Sequence, residues 1–122
     1  MAAQRILVVD DNAALSQMYT TYLEGKGYEV KGIRDPQIAV ETAVTFKPDL
    51  ILLDVMMPQI SGLEVLQAMR KTEATKTTPI VLLTAVGDKT IKEKAALEGA
   101  NAYLEKSETD LSALLDAVRA NV

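Results

Sequence analysis

Five polar residues stand where short apolar runs end: Asp10 and Asp11 after the first run, Asp54 after the third, Thr84 after the fourth and Lys106 after the fifth. Their types suit phosphoryl transfer. Carboxylates brought close together repel one another and raise each other's pKa. A hard divalent cation relieves that repulsion, and Mg²⁺ favours a few carboxylates together with waters and phosphate oxygens. An ionised carboxylate is also a nucleophile that needs no general base, since it carries no proton to remove, and on phosphorus it forms an acyl phosphate. A lysine ammonium and a threonine hydroxyl would then meet the equatorial oxygens as charge spreads over them.

Each residue alone has a plainer reading. An Asp pair before a helix is usually a cap and a partner for the helix dipole. A lone Asp or Thr at a strand end is a turn residue, and a lone Lys is a solvated side chain. Their joint placement on four of the five strand ends, with none on the second, is what those readings leave unexplained.

The elements that must position them alternate along the chain, as in a parallel α/β sheet. Arg5–Val9 is a β-branched-rich strand suited to burial on both faces. Leu15, Met18, Tyr19, Tyr22 and Leu23 repeat at helical spacing, with Gly25 as the stop. Tyr28–Ile33, carrying Glu29 and Lys31, reads as an edge strand. Asp35 and Pro36 read as an N-cap and first helical residue of a helix running to about Phe46. Leu50–Leu53 is the most apolar strand and leads into Asp54.

Ser61 and Glu64 match a capping box ahead of Leu63, Leu66 and Met69. Ile80–Leu83 is the fourth strand, Asp88 a cap for a helix over Lys89–Glu98, and Ala102–Glu105 the last strand. Leu111, Leu114, Leu115 and Val118 form the buried stripe of the closing helix. Met56, Met57 and the leucine stripes read as core or loop packing, and Pro58 and Gly62 as shaping the loop after Asp54. The expectation is one domain over residues 1–122, a doubly wound five-stranded sheet of order 2-1-3-4-5, flavodoxin-like. In that order ligands bind outside the carboxyl ends of the strands, between the first and third.

Composition narrows the chemistry further. The 122 residues contain no cysteine and no histidine, which excludes thiol nucleophiles, thiolate or imidazole metal sites, Ser-His-Asp catalysis and phosphohistidine carriage. With 13 basic and 17 acidic residues the formal charge is −4, and the basic residues are scattered. Direct nucleic-acid binding is therefore not expected. No run reads as a signal peptide or a membrane span, so a cytoplasmic location is expected.

The stretches Ile6–Asn12 (ILVVDDN) and Asp49–Gly62 (DLILLDVMMPQISG), with Thr84 and Lys106, resemble the receiver domain of two-component response regulators. The resemblance runs from about Arg5 to Arg119. It implies that Asp54 is the phosphorylated aspartate and that Asp10, Asp11, Asp54 and the Met56 backbone carbonyl hold Mg²⁺, Asp10 partly through water. It implies that Thr84 and Lys106 contact the phosphoryl group, and that Tyr103 is a switch aromatic. Tyr103 would turn inward as Thr84 moves toward the phosphate, altering the surface of the fourth helix, fifth strand and fifth helix.

The implied donor is a sensor histidine kinase or a histidine phosphotransfer protein, and the implied target a downstream protein or a fused output domain. Such a domain is not an enzyme beyond catalysing its own phosphorylation and dephosphorylation. The family usually has proline after the lysine, with a cis bond between them, where this chain has Ser107. A non-proline cis bond costs about 2.5–4 kcal/mol, so this loop is expected either to relax to trans or to hold a strained cis bond.

Met56 and Val86 occupy two positions that govern water access to the phosphoryl group in the family. Both are apolar, so Met56→Asn with Val86→Glu is expected to speed loss of phosphate, as read from the decay of the phosphorylated mass.

Three rivals fit less well. A haloacid-dehalogenase-type phosphatase needs an Asp two residues after the nucleophile, where this chain has Met56. A flavin carrier needs a Ser/Thr-rich phosphate loop where Asp10 and Asp11 would repel the phosphate. A pseudo-receiver would have lost a site position, and none is lost.

Overall fold

The computed structural model describes residues 3–57, 60–84, 89–106 and 110–122, without the side chains of 89 and 90. Along the chain these form β1 (Arg5–Val9), α1 (Ala13–Glu24), β2 (Glu29–Ile33), a 3₁₀ turn (Pro36–Ile38), α2 (Ala39–Phe46), β3 (Leu50–Asp54), α3 (Gly62–Arg70), β4 (Ile80–Thr84), α4 (Lys89–Leu97), β5 (Ala102–Glu105) and α5 (Leu111–Asn121). The strands form one parallel sheet in the order β2-β1-β3-β4-β5. This is the doubly wound, flavodoxin-like arrangement anticipated from the sequence.

β3 and β4 are buried throughout, as are Ile6–Val9 of β1, because helices cover both faces. Alternate residues serve opposite layers. Leu7, Val9, Ile51, Leu53, Ile80 and Leu82 pack with α2, α3 and α4 through Ala43, Leu66, Met69 and Ala95. Ile6, Val8, Leu50, Leu52, Val81 and Leu83 pack with α1 and α5 through Tyr19, Leu23, Leu114 and Val118. Each large side chain so buried contributes about 1.5–3 kcal/mol. The apolar strands thus hold the sheet rigid and present their polar carboxyl ends along one rim.

Several local expectations are revised. Asp35 caps as expected, accepting from the Gln37 N–H, but Pro36 opens a 3₁₀ turn and the α-helix begins at Ala39. Gly25 ends α1 with φ −63°, and the left-handed residue is Gly27 at φ 98°. Gly25 is thus the stop the sequence suggested, and the chain reverses after it, with the Tyr28 N–H bonded to the Leu23 carbonyl. Lys47 caps α2 in the left-handed region at φ 55°, a role sequence reading did not give it. Ser61 caps α3 by accepting from the Leu63 N–H, one residue earlier than a capping box has it. Met18 and Met56 are exposed, at 43% and 63%, rather than packed inside. Pro58, Val86, the Asp88 cap and the Lys106–Ser107 bond lie outside the described residues.

Two features fix the strands that carry the site. The Arg70 guanidinium donates to the carbonyls of Thr75, Thr78 and Gly99 and to Asn101 Oδ1, tying α3 and its following loop to the turn that starts β5. Asn101 Oδ1 also accepts from the Ile80 N–H, so the bases of β4 and β5 are joined.

Gly62, at the start of α3, lies so close to β3 that a Cβ there would run into the Asp54 carbonyl oxygen and the Val55 Cα. The obstacle is backbone, so relief requires moving the strand end. Gly62→Ala is expected to destabilise the fold by about 1–3 kcal/mol, the usual cost of overpacking. A lowered denaturation midpoint at unchanged m-value would show it.

Candidate functional site

The sheet order carries the site residues to one place. Asp10 follows β1 and is held there by its own N–H bonding to the Ile33 carbonyl across the sheet. Its side chain is fully buried, with Oδ1 accepting from the Asn12 N–H at 2.9 Å. Asp11 beside it is exposed. Asp54 ends β3 next to β1, 2% exposed, with Oδ1 accepting from the Met56 N–H at 3.3 Å. Oxygens of Asp10, Asp11 and Asp54 lie within 4.8 Å of one another. Thr84 ends β4 on the other side of β3, buried, and its carbonyl accepts the Lys106 N–H at 2.6 Å.

Lys106 reaches the cluster from beyond the end of β5. Its Nζ is 2.9 Å from Asp10 Oδ2 and 3.4 Å from Asp54 Oδ2, making it the bridge between the two buried carboxylates. β5 is short and only partly buried, and the lysine stem spans β4 to cross the distance. Tyr103 is partly buried against the core layer that contains α4 residues Ile91 and Ala95.

The electrostatics follow from this packing. Burial, and then the charge of Asp10, raise the Asp54 pKa from 3.8 to about 6, while Lys106 and the Met56 N–H pull the other way. Burial disfavours the Lys106 cation, but the hydrogen bond and charge of Asp10, then those of Asp54, outweigh it and raise its pKa. A single ammonium therefore neutralises a cluster of three carboxylates only in part. The donor set is all hard oxygen, two of the three residues are anchored on strands or strand ends, and the exposed Asp11 leaves one side open. These residues fit a Mg²⁺ ion.

Sequence reading missed Tyr19 as a neighbour of the site. It is 8% exposed, and burial raises its pKa while the charges of Lys106, Asp10 and Asp54 also bear on it. Helical spacing marked it as an inward-facing residue, but only the packing of α1 beside β1 and α5 puts its ring near Lys106.

Comparisons with known proteins agree with this fold. The model of the response regulator receiver domain matches residues 6–119. The chain belongs to that family, the receiver domains of two-component systems.

Among curated relatives, the phosphate regulon transcriptional regulatory protein PhoB of Pseudomonas aeruginosa is 40% identical over 120 residues, covering 97% of this chain and 52% of that protein. The DNA-binding dual master transcriptional regulator RpaA of Synechocystis is 39% identical over 116 residues, covering 95% of this chain and 48% of that protein. The chain spans about half the length of these relatives, so their descriptions as transcriptional regulators belong to the longer proteins. Among solved structures, chemotaxis protein CheY4 of Vibrio cholerae matches with TM-score 0.93 at 31% identity, covering 99% of this chain and all of that one. The BeF3-activated receiver domain of Klebsiella pneumoniae RstA matches with TM-score 0.89 at 28% identity, over 97% of each chain. Among the described residues no helix is long and apolar enough to cross a membrane.

Proposed function

We propose that residues 1–122 act as one receiver unit in which Asp54 accepts a phosphoryl group, in the presence of Mg²⁺, from a phosphohistidine on a sensor histidine kinase or a histidine phosphotransfer protein. The observation that supports this most is the cluster of three carboxylates within 4.8 Å, bridged by Lys106 at 2.9 and 3.4 Å. An ionised Asp54 oxygen attacks phosphorus as the P–N bond to the donor imidazole breaks, and the imidazole takes its proton from solvent. Asp10, Asp11, Asp54 and the Met56 carbonyl would hold the metal, which supplies charge neutralisation at the phosphoryl oxygens. Lys106 neutralises a phosphoryl oxygen, and the Thr84 hydroxyl donates to another. The domain catalyses only its own phosphorylation and dephosphorylation.

The readout is a change at the α4-β5-α5 face, carried by Thr84 and Tyr103. Its support is their placement on the neighbouring strands β4 and β5, with Tyr103 packed on the layer that contains α4. A small local charge change biasing a two-state element is how phosphorylation ordinarily acts. The partner for that face is a downstream protein or a fused output domain. Scattered basic residues and a charge of −4 favour a domain that does not itself bind nucleic acid, and the receiver family supports a cytoplasmic location.

Titration with beryllofluoride, which mimics an acyl phosphate, tests this reading by amide NMR. Mg²⁺-dependent shifts at Asp54, Thr84 and Lys106, spreading to Tyr103 and α4, are expected. Shifts confined to Asp10 and Asp11, or none, would contradict it.

A further inference from the structure

A cavity of about 600 Å³ lies between α1 and α5, and it shares one residue, Lys106, with the proposed site. Its wall includes Lys106, whose ammonium bridges Asp10 and Asp54, and Tyr19 of α1. It also includes Asp110, the residue that caps α5 by accepting from the Ala113 N–H at 2.8 Å. Lys106 therefore has two sets of carboxylates within one neighbourhood. Asp10 and Asp54 are buried, and Asp110, which lines the same cavity as Lys106, is exposed.

A lysine stem has four rotatable carbons and easily exchanges partners. Something must keep Nζ on the buried pair. Tyr19 is the large rigid group lining the cavity beside Lys106, 8% exposed, part of the core cluster that holds Ile6, Val8 and Leu115, and near enough for Lys106, Asp10 and Asp54 to act on its phenol.

We propose that Tyr19 is a positioning residue for Lys106: its ring walls the ammonium off from the α1–α5 cavity and so denies it Asp110 as an alternative partner. Without the ring, Lys106 swings into the cavity and pairs with Asp110, leaving Asp54 without its cation. This rests on the phosphoacceptor reading above only for its consequence, a slower reaction at Asp54. The placement of Lys106 is a claim about the resting protein and is read separately.

The test compares Tyr19→Ala, Tyr19→Phe and Asp110→Asn, the last keeping a capping oxygen, and the double variant Tyr19→Ala with Asp110→Asn. The first readout is the ¹⁵Nζ signal of Lys106, assigned by its loss in Lys106→Met. In the wild type it should move on Asp54→Asn substitution and ignore Asp110→Asn; in Tyr19→Ala the two responses should exchange. The second readout is the rate of Asp54 phosphorylation by acetyl phosphate with Mg²⁺. Tyr19→Ala should lose about 10²-fold, as misplaced catalytic groups do. Tyr19→Phe should stay near wild type, and the double variant should recover most of the loss.

A defect from a loosened core alone would not be rescued at Asp110, so an unrescued defect overturns the proposal. So does a Lys106 signal in Tyr19→Ala that still follows Asp54. If the wild type took no phosphate at all, the phosphoacceptor reading would fail, and the Nζ signal alone would still decide where Tyr19 holds Lys106.

Discussion

Lys106→Met is expected to slow phosphorylation of Asp54 by about 10²- to 10³-fold, the usual effect of deleting one preorganised charge-stabilising donor. It should also destabilise the metal-free protein at neutral pH by about 3–5 kcal/mol, since removing one member of a buried ion pair leaves the other uncompensated. The residues left behind are the reason for the size. Asp10 is fully buried and Asp54 is 2% exposed, and the Lys106 side chain that serves both is itself only 16% exposed. Methionine retains most of the stem's volume, so the loss is chiefly electrostatic. Two conditions should shrink it: lower pH, which protonates the stranded carboxylates, and Mg²⁺, which replaces the missing cation. Urea denaturation of both proteins at two pH values, with and without Mg²⁺, checks all of this. A stability deficit that ignored both pH and Mg²⁺ would point to lost packing instead.

Asp54→Asn should act in the opposite sense on stability. Folding raises the Asp54 pKa from 3.8 to about 6, because burial and then Asp10 disfavour its charge. Between those values the native state binds more protons than the unfolded one, so this group's contribution falls as pH rises through the window. Above the folded pKa the ionised side chain costs the fold about 3 kcal/mol, and below the unfolded pKa the cost is gone. Asparagine removes the charge and leaves Lys106 paired with Asp10 at 2.9 Å. Without metal, the variant should therefore exceed the wild type by up to about 3 kcal/mol near pH 8. The two stability curves should converge toward pH 4. Parallel curves would contradict the pKa assignment. Mg²⁺ should narrow the gap by stabilising the wild type alone. The site is a place where the fold gives up stability for chemistry.

Much of this arrangement was legible from the residues. Apolar runs such as Leu50–Leu53 and Ile80–Leu83 mark strands buried on both faces, and a parallel sheet of this order sends their carboxyl ends to one rim. That sufficed to group Asp10, Asp11 and Asp54. What stayed hidden depends on distances across the sheet. Nothing local to β5 records that the Lys106 stem crosses to Asp10. Tyr19 was one member of a helical stripe, and only the packing of α1 separates it from Met18, which the same stripe sends to solvent. Gly27 rather than Gly25 takes the positive φ because the hydrogen bonds after Leu23, not the first available glycine, decide where the chain reverses. Gly62 was the converse case. Its place in the loop after Asp54 was read as shaping that loop, and the Asp54 carbonyl oxygen is what its backbone approaches.

The most direct measurement is the intact mass of the chain after incubation with acetyl phosphate and Mg²⁺, beside Asp54→Asn treated identically. The account predicts gain of one phosphoryl group by the wild type, lost in Asp54→Asn and lost when Mg²⁺ is chelated. A wild type that gains nothing, or a phosphoryl group that persists in Asp54→Asn, would contradict it.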